Sequence, residues 1–210
     1  IQRIADGAWK PTESPEDQGQ INAMAAKGYR EAFKQVVSSL GDVLRGRSPG
    51  KVVDRDLQGW YRALFSPSVQ ANILPASALA GYRERRVFIR GSEHVPPAIE
   101  AVPALMEALF GALIKEPSAA VRAVLGHFVF VFIHPYSDSN GRIGRFLMNL
   151  MLASGGYSWT VIRVERRREY MAALEKASVQ GEIGDFAKFV ADEMKASAKL
   201  KPFRRQRGSA

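Results

Sequence analysis

The chain contains no cysteine and only three histidines among its 210 residues. The first absence excludes a disulfide framework, a thiolate nucleophile and every cysteine-ligated metal, and the second leaves little from which to build a zinc cluster. Chemistry must therefore come from oxygen and nitrogen groups. Long apolar runs are missing too: the most hydrophobic stretch, residues 119–133, is interrupted by Arg122 and His127. It falls short of the roughly 18 unbroken apolar residues a membrane span needs. No N-terminal segment joins a charged start, an apolar centre and a small-residue cleavage site. These absences predict a cytoplasmic protein with no membrane partner. Acidic residues are in deficit, 21 against 30 Lys and Arg, for a formal charge of +9. Much of that excess sits between Lys195 and Arg207. Charge runs at chain ends are usually solvated and disordered, so nucleic acid is not the expected partner. The length suits one domain with short appendages, and hence one site.

What is present is mostly helical pattern. Ile21, Met24, Tyr29, Phe33, Val36, Val37, Leu40 and Leu44 recur at three- and four-residue steps, which predicts an amphipathic helix over residues 20–44. A short helix is expected from Asp54, as N-cap, to Phe65, with Pro67 as its stop, and no element over residues 66–80. Arg86-Val87-Phe88-Ile89-Arg90, then Gly91-Ser92, then Val95 before two prolines, predicts a small β-hairpin. A stripe from Val102 to Ile114 follows, and Ser118 is placed to cap a helix over 119–133 that is apolar nearly all round, the mark of a buried central helix. Three more helices are expected, over 141–153, 166–178 and 184–195. The fold class is therefore mainly α: a helical bundle around a central buried helix, with one hairpin.

A polar loop joins the two most apolar helices: His134-Pro135-Tyr136-Ser137-Asp138-Ser139-Asn140-Gly141-Arg142-Ile143-Gly144-Arg145. Loops on a rigid apolar scaffold are where sites are built. Pro135 cannot extend the preceding helix, so His134 sits at a helix C-terminus, whose negative dipole is expected to raise its basicity and suit it as a general base. Asp138, Ser139 and Asn140 are the residue types that cap a new helix, and Gly141 allows close backbone approach. The N–H groups of that helix start offer an anion site. Arg142 and Arg145 lie on one face of the first turn, where each opposes the helix dipole at about 0.3–1 kcal/mol. A bound polyphosphate would offset that cost. One carboxylate beside an anion pocket invites Mg²⁺, with Asp138 as ligand. The base would deprotonate a hydroxyl, the hydroxyl would attack phosphorus, and cations would stabilise the departing diphosphate. Taken singly, each of these residues has an ordinary structural reading; their coincidence does not. His127 reads as a buried, hydrogen-bonded histidine with no catalytic role. The run Arg163-Val164-Glu165-Arg166-Arg167-Arg168 reads as a solvated helix start able to help dock an acidic target.

Residues 134–145 resemble the Fic motif, His-Pro-Phe-x-Asp/Glu-Gly-Asn-Gly-Arg-x-x-Arg. The resemblance extends to the hairpin Val87-Phe88-Ile89 and the following His94-Val95-Pro96-Pro97, which look like the family's flap. It implies a Fic fold over residues 20–194, with an N-terminal segment over 1–19 and a basic tail over 195–210. It implies transfer of AMP from ATP, with Mg²⁺, to a Ser, Thr or Tyr hydroxyl of a target protein. His134 would be the base and Asp138 the metal ligand. Ser139, Asn140, Gly141, Arg142 and Arg145 would hold the nucleotide, and Val87, Phe88 and Ile89 would pair with the target's extended backbone.

Two positions depart from the motif. Tyr136 replaces Phe and keeps an aromatic anchor, provided its hydroxyl finds room. Ser139 replaces Gly in the phosphate-binding turn, where a side chain can crowd the ligand or restrict the backbone. That leaves open a donor carrying UMP, phosphocholine or phosphate, or an inactive scaffold. Many family members are restrained by a Ser/Thr-x-x-x-Glu-Gly/Asn helix, or by a partner bearing it. The nearest stretches here, Thr12 to Glu16 and Ser178 to Glu182, fail at the last position.

Overall fold

The computed structural model describes residues 18–79 and 81–199. These form seven α-helices: α1 (Gln18–Leu44), α2 (Pro49–Gln70), α3 (Val102–Lys115), α4 (Ala119–Ile133), α5 (Asn140–Ser154), α6 (Arg167–Gln180) and α7 (Gly184–Ala198). No strand and no helix long and apolar enough to cross a membrane occurs among the described residues. The stretches 1–17, including Thr12 and Glu16, and 200–210 lie outside them. Residues at the start of the expected tail are structured: α7 runs to Ala198, and Ser197 Oγ accepts the Val161 N–H at 3.0 Å.

α1 packs along α2, and α5 along α4. Both pairs meet closely because glycine stands at the crossing. A Cβ at Gly28 would lie 1.9 Å from the Leu64 carbonyl oxygen, and one at Gly144 would lie 3.1 Å from both His127 and Val131. The core between them is filled by Trp60, Phe130, Phe146 and Leu147, all at most 1% exposed. Burial is deepest on α5, where every residue from Phe146 to Leu152 is inaccessible. The apolar surface of α4 is only partly used for packing, since Val121 and Leu125 stay 38% and 43% exposed.

The segment expected as a short helix from Asp54 is a full one from Pro49. Proline at the first helical position has no N–H to lose there, Ser48 takes the N-cap position, and the Val52 N–H reaches the Ser48 carbonyl at 3.0 Å. Pro67 does not end it. It falls in the last turn, where its missing N–H costs one bond, and the Ala71 N–H still donates to the Pro67 carbonyl at 3.0 Å. The expected hairpin also takes a looser form. Residues 82–98 run out and back around Gly91 (φ 76°), closed by a Ser92 N–H to Ile89 carbonyl bond of 3.1 Å, without a ladder between the limbs. The paired prolines remove donors from the returning limb.

Candidate active site

α4 ends at Ile133, and His134 follows in the left-handed conformation (φ 52°, ψ 57°), its N–H donating to the Phe130 carbonyl at 3.0 Å. Its ring Nδ1 lies 3.2 Å from the Val131 carbonyl oxygen. A carbonyl only accepts, so this contact selects the Nδ1–H tautomer and leaves Nε2 with a lone pair. Burial holds the His134 pKa below its ordinary value, and the Arg83 guanidinium and His94 push the same way against the Val131 bond and Asp138. The expected dipole-raised basicity is thus overturned: desolvation wins. The consequence is an imidazole that stays neutral at pH 7, with Nε2 free to take a proton.

The loop after it is shaped by Asn140, which is 1% exposed. Its Oδ1 accepts the Tyr136 N–H at 2.9 Å and its Nδ2 donates to the Tyr136 carbonyl at 2.7 Å, closing residues 136–140 into a ring. Tyr136 is fully buried and stacks on Tyr61 with centroids 3.8 Å apart and planes 6° from parallel. Its hydroxyl finds no partner among the described residues. Ser139 adopts φ 66°, ψ 12°, the left-handed geometry that glycine takes without cost, and its buried hydroxyl is also unpartnered. The expected side-chain cap is absent: Asp138 Oδ1 accepts only the adjacent Ser139 N–H, at 2.5 Å. Arg142 and Ile143 both donate to the Ser139 carbonyl. The N–H groups of Asn140 and Gly141 make no hydrogen bond among the described residues, so α5 begins with two free donors.

Both motif arginines are poorly neutralised. Arg142 approaches Asp138 at 3.5 Å, and Arg145 pairs with no carboxylate among the described residues. A Cβ at Gly141 would stand 3.4 Å from Arg145 Nη1, so glycine gives the guanidinium its passage. No group of three or more metal-ligating side chains occurs among the described residues. Asp138, its side chain 71% exposed beside the free N–H groups, has the donor set Mg²⁺ uses when phosphates complete its shell.

His134, Gly141 and Arg145 share a cavity of about 220 Å³ with Ile89, Ser92 and His94 from the flap and with Arg167, Tyr170, Met171, Leu174, Glu175 and Ser178 from α6. A larger hollow of about 640 Å³ between α3 and α4 holds no motif residue except for its neighbour Ile133. Val87 and Phe88 lie off the cavity, on the outgoing flap limb, and their backbone groups make no hydrogen bond among the described residues. Ser178 lines the cavity, whereas Glu182 is turned to Lys176 at 2.7 Å and makes no ion pair with Arg145.

Sequence reasoning missed three contributors. Arg83, 3% exposed, donates from Nε to the His134 carbonyl at 2.9 Å and from Nη2 to the Pro97 carbonyl at 2.5 Å, while its N–H donates to the Pro135 carbonyl at 2.8 Å. It staples the foot of the flap to the loop that follows α4. Glu175 clasps the flap's tip, accepting the Ser92 hydroxyl and, at 2.7 Å, the Glu93 N–H. Tyr170 meets His127 Nε2 at 2.8 Å, which gives the buried His127 its bond. Only Tyr82-Arg83 before the flap carries a faint signal, an arginine heading an apolar strand pattern. Glu175 and Tyr170 sit in an unremarkable helical period.

Residues 52–152, from α2 to near the end of α5 and including the whole loop, match the model of the "Fic/DOC family". "Protein adenylyltransferase Fic" of Nematostella vectensis is 38% identical over 114 residues, covering 52% of this chain and 26% of that protein. The Culex quinquefasciatus protein of the same name is 36% identical over 115 residues, covering 53% and 22%. The chain thus spans about a quarter of the length of these curated relatives. Among solved structures, a fragment of C. elegans Fic-1 superposes with a TM-score of 0.72 at 23% identity, over 93% of this chain and 54% of that one. A Fic domain containing signaling protein from Bacteroides thetaiotaomicron superposes with 0.69 at 19% identity, over 93% and 75%. Residues 52–152, which include the loop that carries His134, thus match the Fic/DOC family model, and the chain shares the fold of solved Fic proteins.

Proposed function

We propose that this chain transfers AMP from ATP to a Ser, Thr or Tyr hydroxyl of a target protein. The observation that carries the reading is the free Nε2 of His134 opening on the same cavity as Arg145, beside the uncapped start of α5. Nε2 takes the acceptor's hydroxyl proton. The oxygen forms its bond to the α-phosphorus as the bond to the β-phosphate oxygen breaks, and diphosphate departs. Arg142, Arg145 and the N–H groups of Asn140 and Gly141 hold the phosphates where charge accumulates. Ser139 keeps the turn in the shape glycine would give it, and the ring closed by Asn140 keeps that shape rigid. Mg²⁺, bound through Asp138 and phosphate oxygens, would add charge neutralisation.

The target's backbone lies along the outgoing flap limb, at Val87, Phe88 and Ile89. The unbonded backbone of Val87 and Phe88 supports this, as does the seat of Ile89 on the cavity. The catalytic domain occupies residues 20–194. Arg145 lacks a carboxylate partner among the described residues. An inhibitory segment or antitoxin-like partner would therefore act by supplying one.

The test is label transfer from α-³²P-ATP in Mg²⁺ to this chain and to lysate proteins. Replacing His134→Ala is expected to cut labelling by about 10²–10⁴, the usual contribution of a general base. Equal labelling by the variant would sink the assignment. The unpartnered Ser139 hydroxyl favours one second reading, a donor carrying UMP, phosphocholine or phosphate. Competition by unlabelled donors separates the two.

A further inference from the structure

The outgoing flap limb carries three arginines, Arg85, Arg86 and Arg90, all exposed and none in an ion pair among the described residues. Ile89 is half-buried and lines the catalytic cavity, whereas Arg86, Phe88 and Arg90 are exposed. Phe88 is 77% exposed and Val95, on the returning limb, 65%. With Arg86, Val87, Pro96 and Pro97 they line a hollow of about 200 Å³ between the limbs, which shares no lining residue with the catalytic cavity. Large apolar side chains rarely stand this exposed around a concavity without a partner.

The flap's neighbours do not neutralise those arginines. Glu93 commits only its N–H to Glu175, and Glu84 and Glu93 stand at the two ends of the segment. The other arginine-rich stretch is spent on structure: Arg163 and Arg166 both hold the inaccessible Glu193, at 2.8 and 2.7 Å.

From this juxtaposition we infer that the flap selects its protein substrate by charge. The acceptor segment is an extended stretch with acidic residues flanking its hydroxyl, Arg86 and Arg90 pairing with them, and with an apolar side chain seated in the hollow of Phe88, Val95 and Pro97. The inference rests on the target-strand reading of the flap given above. It adds the chemical class of the substrate.

The experiment reads binding without nucleotide, so that it stands or falls apart from the transfer reaction. Fluorescein-labelled peptides of one length carry a central Leu-Thr, flanked by Glu in one, by Gln in a second and by Lys in a third. Their affinity for this chain is measured by anisotropy at 0.05 M and 0.5 M salt. The Glu peptide is expected to bind about three- to ten-fold more tightly than the Gln peptide, as two exposed ion pairs allow. That advantage should shrink at high salt. Arg86→Glu with Arg90→Glu should transfer the preference to the Lys peptide, and Phe88→Ser should weaken all three equally. A control with Lys34→Glu and Lys51→Glu, on α1 and α2, separates the flap from the overall positive charge. An unchanged preference in the flap variant, or its loss in the control, would overturn the inference, and thermal melts check that each variant is folded. Labelling of lysate proteins with no peptide discrimination would retain the transfer reading and refute this one.

Discussion

Two sets of arginines in this chain differ in what they face. Arg163 and Arg166 converge on Glu193, a carboxylate with no exposed surface, and Arg166 also stacks over Phe189 at 4.7 Å. Arg142 and Arg145 sit where a helix start already repels them, one with a long contact to Asp138 and the other with none. Residue type is the same and the sequence spacing alike. The difference is whether the fold supplies the countercharge. Where it does, the cations hold the turn before α6 against α7; where it does not, the site is left to attract an anion.

Breaking each set should therefore harm different properties. Arg145→Ala is expected to lower AMP transfer by about 10²–10³, the usual cost of one donor to developing charge. Its melting temperature should stay level or rise slightly, since a cation leaves a helix N-terminus. Glu193→Ala removes the carboxylate that both arginines and the Arg163 N–H share. Its melting temperature is expected to fall by several degrees, with transfer retained in the cold. If Arg145→Ala melted early, or Glu193→Ala melted normally, the division between the two sets would fail.

Acid should separate the buried groups in the same way. The Arg163 hydrogen bond holds the Glu193 carboxyl down at about 2, against burial. A depressed carboxylate stabilises the fold above its unfolded pKa of about 4.3. That stabilisation is lost as pH falls from there through the folded value. The imidazoles titrate earlier. Burial pushes His127 down to about 4 and His134 in the same direction. Between about 6.5 and 4 the unfolded chain binds more protons than the folded one, so stability falls with pH in that window. Denaturation midpoints from pH 8 to 3 should then decline in two stages. Glu193→Gln is expected to flatten the lower stage and His127→Phe the upper. A single stage unaffected by either variant would remove the linkage.

A smaller effect is expected at the flap's tip. Glu175→Ala frees Ser92 and the Glu93 N–H while leaving His134 and the phosphate loop intact. The KM for the protein target should rise several-fold with kcat and the nucleotide KM little changed. A fall in kcat alone would point instead to a role in the chemistry.

Most of the helices were legible in sequence because period and caps are local. α4 is bounded by Ser118 and His134-Pro135, and both ends were readable. α2 misled at both ends: Pro49 opens it well before Asp54, and Pro67, a breaker by residue type, stands inside its last turn. The hairpin pattern was real in residue type, yet a ladder needs donors that Pro96 and Pro97 lack. In the site, the loop's residues were identifiable because they are consecutive. Arg83 and Glu175 were not, because their partners are carbonyls and a hydroxyl 51 and 83 residues away, and no spacing encodes those meetings. The His134 pKa was read the wrong way because a dipole is visible in sequence and desolvation is not.

The two departures from the motif provide the finest comparison, since each leaves a buried hydroxyl without a partner. Tyr136→Phe removes an unsatisfied group while keeping the stack on Tyr61, so its desolvation cost of about 1–3 kcal/mol should be recovered in part. A rise of a few degrees in melting temperature is expected, with transfer unchanged. Ser139→Gly also removes a hydroxyl, and it relieves a left-handed strain of about 1 kcal/mol. It returns nearly the same amount to the unfolded chain as backbone entropy. Its stability should therefore barely move, and any effect should fall on the donor. Altered competition among ATP, UTP and CDP-choline in Ser139→Gly, with none in Tyr136→Phe, would mark the Ser139 hydroxyl as a determinant of the donor. Equal behaviour of the two would make both substitutions packing alone.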